Sequence, residues 1–250
     1  MRYEMMLPHE VGKAIAENWP VVLPLGVLEY HSEHLAIGMD TLVVVRALEI
    51  VEKELDLVIL PAFYYGAASY AVAGPEEKGT VQVGSDVLKP FAKDLFRSLL
   101  RIGFRNVHGF IHHQSENFSA GMPTDLAFKL AAREAIFEFL EGEHGEGWWG
   151  DESMANYYSD HEKGADPFSW IQFHPLMDEQ TQKEYTFDHA GIGETSLMMS
   201  FCPEGVQMQK LSEDKWYSLS AKEATTEYGD GAKKRILEHI RSVLGRSQRK

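Results

Sequence analysis

The segment Trp19-Pro20-Val21-Val22-Leu23-Pro24-Leu25-Gly26 is a short apolar run bounded by Pro and Gly, and a polar stretch rich in His and Glu follows it. A run with no polar face suits a strand buried on both sides, an arrangement confined almost entirely to parallel sheets covered by helices. The next residues agree. Thr41–Leu55 repeats Leu42, Val45, Leu48 and Val51 at helical spacing, with Asp40 placed to cap that helix, and Leu57-Val58-Ile59-Leu60 reads as a second strand ending at Pro61. Strand, helix, strand in this order predicts a parallel-sheet unit.

Residues 63–84 are rich in glycine and small side chains without a sustained period, so they form a long irregular connection, and such connections in compact domains tend to be functional. Ser85-Asp86 opens a helix with Val87, Phe91, Leu95 and Leu99 on one stripe and Gly103 at its end. Asn106–Ile111 is the third strand. A further helix covers Thr124–Leu140, with Leu126, Leu130, Ile136, Phe137 and Leu140 as its apolar positions, and runs out in the Gly/Glu turn of residues 141–147. Residues 148–185 are dense in aromatics and carry no period that assigns them. The tail from Ala221 to Leu244 reads as helical, with a break at Tyr228-Gly229-Asp230-Gly231. With no repeat and no heptad pattern, one domain over residues 1–250 is expected, an α/β fold with a mostly parallel central sheet.

Composition narrows the partners. At 44% apolar and 25% charged residues the chain is an ordinary globular one, and 24 Lys+Arg against 38 Asp+Glu leave a formal net charge of −14. That field repels phosphate backbones and anionic lipid heads, so neither a nucleic acid nor a membrane is an expected partner. Cys202 is the one cysteine and closes no intrachain bridge, which fits a reducing compartment. No apolar stretch approaches the ~20 residues of a membrane span, and the start Met1–Met6 is polar and charged. A soluble, cytoplasmic protein is the expectation.

Three clusters carry chemistry. Glu29-Tyr30-His31-Ser32-Glu33-His34, followed by Asp40, lies directly after the first strand, at the carboxyl end where open α/β sheets bind ligands. In an extended segment Glu29 and His31 point the same way and can reach one metal centre, with Asp40 projecting back from the helix start. His112-His113-Gln114-Ser115-Glu116-Asn117 stands at the equivalent end of the third strand, so the two loops face each other across one pocket, as a binuclear site requires. Within that strand, His108 reads as a packed core histidine. The third cluster is Asp188-His189-Ala190-Gly191-Ile192-Gly193-Glu194-Thr195-Ser196, an imidazole and a carboxylate on a Gly-flanked turn, which would equally serve as a helix cap through Thr195 or Ser196. No serine nucleophile elbow, phosphate-binding loop or dinucleotide fingerprint is present.

Pro24-Leu25-Gly26 with Glu29, His31, His34 and Asp40, then the turn ending Glu116-Asn117, then His189-Ala190-Gly191 with Glu194-Thr195-Ser196, resembles the creatininase (creatinine amidohydrolase) family over roughly residues 20–200. The resemblance implies a three-layer α/β/α domain, a homo-oligomer that is often a hexamer, and two divalent metal ions, zinc or manganese, per chain. It places Glu29, His31, Asp40 and Glu116 on metal-ligand positions, with Asp40 as the bridging carboxylate. Ser69 falls on a substrate contact, His189 on a substrate-contacting or proton-transferring histidine, and Glu194 on the glutamate of the His-Ala-Gly motif. The implied mechanism is attack of metal-activated hydroxide on the carbonyl of a small cyclic substrate.

One departure stands out. Members commonly read Asn-Gly-His before the Glu-Asn or Gly-Asn pair, and the aligned run here puts Gln114 where the metal-binding His is usual. Either Gln114 ligates through its weaker oxygen, or His113 or His112 takes its place, or one metal position is weak. The run His-His-Gln-Ser-Glu-Asn, with Ser115, and the segment Trp148-Trp149-Gly150, with Trp149, also resemble a branch that opens an oxidised inositol ring, 3-dehydro-scyllo-inosose, at a C–C bond. A creatinine-like cyclic amidohydrolase or a formamide hydrolase is the alternative within the enzyme class. A metal- or polyol-binding protein that lost catalysis with the Gln114 change is the alternative outside it.

Overall fold

The computed structural model describes residues 1–76 and 78–247. After α1 (Pro8–Ala16), the chain builds β1 (Val21–Leu25), α2 (Met39–Val51), β2 (Val58–Ile59), α3 (Ser85–Ile102), β3 (Val107–Ile111) and α4 (Pro123–His144). It continues through α5 (Tyr157–Glu162), β4 (Ile171–Pro175), α6 (Glu179–Glu184), α7 (Ile192–Phe201) and α8 (Thr226–Ser247), with short 3-10 turns between them. The four strands form one parallel sheet in the order β2-β1-β3-β4. Every residue of β1 and β3 is buried, His108 of β3 included, as strands covered by helices on both faces require.

Alternation along the strands divides the interior in two. Val21, Leu23, Leu25, Val58, Leu60, Val107 and Ile111 join α1, α3 and α4 in one core. Val22, Ile59 and Phe110 join α2, α7 and α8 in the other. Helices on both faces of a parallel sheet make the expected three-layer α/β/α fold. Among the described residues no helix is long and apolar enough to cross a membrane.

Several sequence expectations are corrected. In α3 the stripe of Val87 and Phe91 is exposed, and the helix buries Leu88, Ala92, Phe96, Leu99 and Leu100 instead. A spacing of four drifts about 40° per step around a helix of 3.6 residues per turn, so a stripe that ends on the buried face began off it. Leu126, Leu130 and Phe137 of α4 are likewise exposed, because Ala127, Ala131, Ala132 and Ala135 form the face that lets α3 approach. The unassigned stretch 148–185 contains β4, an edge strand in which only Ile171 is fully buried, so no apolar run betrays it.

The break expected at Tyr228–Gly231 is absent: α8 passes through it. Gly229 is there because the helix lies directly on α7. A Cβ at Gly229 would stand 1.9 Å from the Ser196 carbonyl oxygen. Gly229→Ala should therefore separate α7 from α8 and cost about 1–3 kcal/mol in denaturant unfolding, whereas unaltered stability would show that the close approach does not exist.

Candidate metal centre

Gly26 ends β1, and a Cβ there would meet Thr41 Oγ1 at 2.2 Å and the Thr41 backbone nitrogen at 2.8 Å. The bare glycine lets the first turn of α2 close on the strand end and carries Asp40 into the interior. Asp40 does not cap α2, contrary to expectation: Gly38 occupies the cap position, and the Asp40 carboxylate lies buried in the first helical turn. There Oδ1 is 3.5 Å from His31 Nε2 and Oδ2 is 3.5 Å from His113 Nδ1.

Two donor groups share this carboxylate. In the first, His113 Nδ1 is also 3.4 Å from Glu29 Oε2, joining Glu29, Asp40 and His113. In the second, His31 Nε2 is 3.5 Å from Glu194 Oε2, joining His31, Asp40 and Glu194. Spacings of 3.4–3.5 Å are long for imidazole–carboxylate hydrogen bonds. They match the ~3.4 Å edge of a tetrahedron of donors around a zinc-sized ion with bonds of ~2.1 Å. His31 Nε2 and Asp40 Oδ2 are buried with no hydrogen-bond partner, and leaving such atoms unmatched costs about 1–3 kcal/mol each. Donor identity, spacing and orphaned atoms all fit a pair of divalent cations.

The surrounding contacts orient the donors. His31 Nδ1–H donates to the Glu29 carbonyl at 2.9 Å, which turns Nε2 inward, a support typical of metal-binding imidazoles. Ser69 N–H donates to Glu29 Oε1 at 3.2 Å. Glu194 Oε2 accepts from Ala190 N–H at 2.7 Å, and Oε1 lies 3.1 Å from His112 Nε2. His34 Nε2 meets Thr195 Oγ1 at 2.8 Å, and burial together with the charge of His31 lowers its pKa to about 4. Asp188, not Thr195 or Ser196, caps α7, accepting from Gly193 and Glu194 N–H. His108 sits in the sheet as expected, 2.9 Å from Asn106 Oδ1 and 3.0 Å from His174.

The structure thus brings together Glu29, His31, Asp40 and, from the third cluster, Glu194 and His189, the last grouped with Glu29 and His31. The His189 ring lies 4.3 Å from the His31 ring, tilted by 30°, and its Nε2–H donates to the Tyr30 carbonyl at 3.0 Å. Four expected residues take other places. Gln114 is not in the donor groups, because its amide pairs in both directions with the Met177 backbone, at 2.9 and 3.1 Å, tying the loop after β3 to the end of β4. His113, one residue earlier, faces the carboxylates instead. Glu116 is exposed and outside both groups, although it reaches the cavity wall, and Glu194 stands in the second group. Ser115 spends its hydroxyl on the Asn117 carbonyl. Trp149 packs with Trp148 and Tyr157, in an aromatic cluster apart from the cavity-lining residues.

A cavity of about 470 Å³ opens over the donors. Ser69 is among its lining residues, while Phe187, Trp216 and Tyr217 supply walls that no sequence signal indicated. Acids and imidazoles dominate its polar lining, and no lysine or arginine is among the described residues around it.

Electrostatics couples the donors to pH. Burial alone would lower the pKa of His31, but Asp40 and Glu194 override it and raise it to about 10. His113 follows the same balance, burial opposed by Asp40 and Glu29, and also reaches about 10. Asp40 is held well below the carboxylate range, burial being outweighed by His31 and His113. Without metal both imidazoles are therefore protonated near neutrality, and a cation must displace those protons. Metal affinity should rise between about pH 7 and about pH 9, by up to tenfold per unit for each proton released, in chelator competition. A flat profile would mean that the imidazoles are already neutral. Metal analysis gives a second check: Asp40→Asn should lose both ions, whereas Glu116→Gln should keep them, and depletion in the Glu116 variant would return that residue to the ligand set.

Comparison with known proteins agrees with this geometry. The family model for creatininase, described as creatinine amidohydrolase, matches residues 4–241. A creatinine amidohydrolase of Pseudomonas putida is 24% identical over 202 residues, 80% of this chain and 71% of its own length. A solved structure described as "Creatininase Mn" aligns with a TM-score of 0.69 at 19% identity, covering 97% of this chain and 96% of its own. A creatininase variant of "Zn-Zn type" gives 0.68 at 19% identity with the same coverage. At these identities the structural likeness speaks for the fold, while the family match spans nearly the whole sequence. With its sheet-end carboxylates and imidazoles gathered around Asp40, this chain belongs to the creatininase family.

Proposed function

We propose that the protein is a metal-dependent hydrolase that opens a small, neutral, cyclic carbonyl compound, with a diketo-inositol of the 3-dehydro-scyllo-inosose type as its substrate. The observation that carries the hydrolase reading is the Asp40 carboxylate, shared between two complete donor groups at one end of the sheet. Zinc and manganese are the candidate ions, as in the creatininase forms aligned above. Glu29, Asp40 and His113 would hold one, and His31, Asp40 and Glu194 the other. When bound, such a pair polarises a carbonyl and lowers the pKa of water from 15.7 toward ~7.

The chain's own residues supply the rest. Ala190 N–H and His112 fix both oxygens of Glu194, and Ser69 N–H fixes Glu29, so the donors are set before substrate arrives. His189 carries a proton on Nε2, held toward the Tyr30 carbonyl, at the cavity wall. It is the group placed to protonate the departing carbon or nitrogen as the ring bond breaks. Tyr217 and Phe187 exclude water from one side.

The polar wall supports the choice of substrate. Apart from the metal ions, the described lining is acids and imidazoles with no lysine or arginine to pair with a carboxylate or phosphate group, which favours an uncharged ring. Asp188 and Glu116 present carboxylate oxygens that suit the hydroxyl donors of a polyol. Creatinine is also neutral, and the Pseudomonas putida relative is a creatinine amidohydrolase, so cyclic amide hydrolysis is the second reading. The reading as a binder without catalysis rested on Gln114 in a ligand position, and His113 removes that reason. A cytoplasmic homo-oligomer, a hexamer included, is part of the same proposal through the family resemblance.

Assaying zinc- or manganese-loaded protein on a diketo-inositol, creatinine and a formamide-bearing pyrimidine side by side should show turnover of the diketone and its loss on metal removal. Creatinine turnover without diketone turnover would overturn the substrate, and inactivity of the loaded protein on the whole panel would count against the hydrolase reading.

A further inference from the structure

Trp216 is 84% exposed, the highest value among the described large apolar side chains, yet it lines the same cavity as the metal donors. Much of an indole is left in water at the mouth of a binding site, where a ligand can cover it. The residue opens the short 3-10 helix Trp216–Glu223, which is fastened on two sides. Ser220 Oγ accepts from Ile192 N–H, the first residue of α7, at 3.0 Å, and the Tyr217 hydroxyl donates to the Val72 carbonyl at 3.2 Å. The backbone beneath Trp216 is thereby tied to the turn bearing His189 and Glu194, and to the 63–84 connection.

Rings continue inward from it. Trp216 meets Tyr217 edge-on at 6.0 Å, Tyr217 meets His189 edge-on at 5.2 Å, and His189 lies 4.3 Å from His31, the rings tilted by 30°. An aromatic series thus runs from solvent to the metal donors. A π face is electron-rich and attracts the weakly positive hydrogens of ring C–H bonds, whereas the acid-lined remainder of the cavity attracts hydroxyl donors.

We propose that Trp216 determines substrate specificity: its indole forms the wall on which the C–H face of a neutral ring packs, and the packed ring closes the cavity mouth. This rests on the reading of the site as one for a neutral cyclic compound, and it adds the residue that selects for a ring. Substrates with an alicyclic C–H face are favoured, and open-chain analogues of equal polarity lose the wall contact.

The test uses the metal-loaded protein, Trp216→Ala and Trp216→Phe. On whichever panel compound is turned over, the alanine variant should raise KM about tenfold, with the loss falling on KM more than on kcat, and phenylalanine should restore most of it. Metal content should stay at the wild-type level. Acrylamide quenching supplies a readout free of turnover: creatinine or the ring polyol myo-inositol should protect an emission component present in wild type and missing in Trp216→Phe. An unchanged KM in Trp216→Ala, or no protection by either probe, overturns the proposal. Protection without turnover of any panel compound would keep the wall and remove the hydrolase reading. Turnover indifferent to Trp216→Ala would do the reverse.

Discussion

The site depends on one carboxylate held between two imidazoles. Asp40 enters the interior because Gly26 lets the first turn of α2 rest on the end of β1, and it remains ionised because His31 and His113 face its two oxygens. Its place in the first helical turn adds the favourable end of the helix dipole. Without either imidazole, a buried Asp40 oxygen would lose its counter-charge.

Around that carboxylate the sheet acts as a positioning device. β1 lies beside β3, so the loops bearing Glu29 and His31 and the loop bearing His113 emerge at the same edge in fixed register. Gln114 then ties the β3 loop to the end of β4, and α7, in the same layer as α2, brings Glu194 against His31. The donors come from three places along the chain, the β1–α2 segment, the loop after β3 and the start of α7, while β1 and β3 beneath them are buried on both faces. Rigid strands place the groups, and the connections above them, including the 63–84 segment and the Trp216 helix, shape what can reach them. The cavity over the donors is lined by acids and imidazoles on one side and by Phe187, Trp216 and Tyr217 on another.

Much of this was legible in the residues. β1 announced itself because burial on both faces demands an unbroken apolar run, β3 was read in spite of His108, and the chemistry after them followed from where parallel sheets place their ligands. The edge strand β4, Ile-Gln-Phe-His-Pro, did not, since one exposed side relaxes the demand for apolar residues. Gly229 looked like a helix breaker because propensity sees only the local chain, whereas its role is a contact with Ser196 distant in sequence. The donors divide in the same way. Glu29, His31 and Asp40 lie close together along the chain and were read as one cluster, but the choice of His113 over Gln114, and of Glu194 over Glu116, turned on side-chain direction.

The amino-acid order by itself determined the layered α/β architecture, the family and the chemical type of the donors, because hydrophobic period and residue identity are local properties. Tertiary structure alone decided which donors meet, since Glu194 reaches His31 only after α7 packs beside α2. It also decided that Gln114 serves the backbone of Met177 and that an exposed Trp216 faces the same cavity as Asp40. Those outcomes depend on distances between segments far apart in the chain, and no spacing along a sequence encodes them.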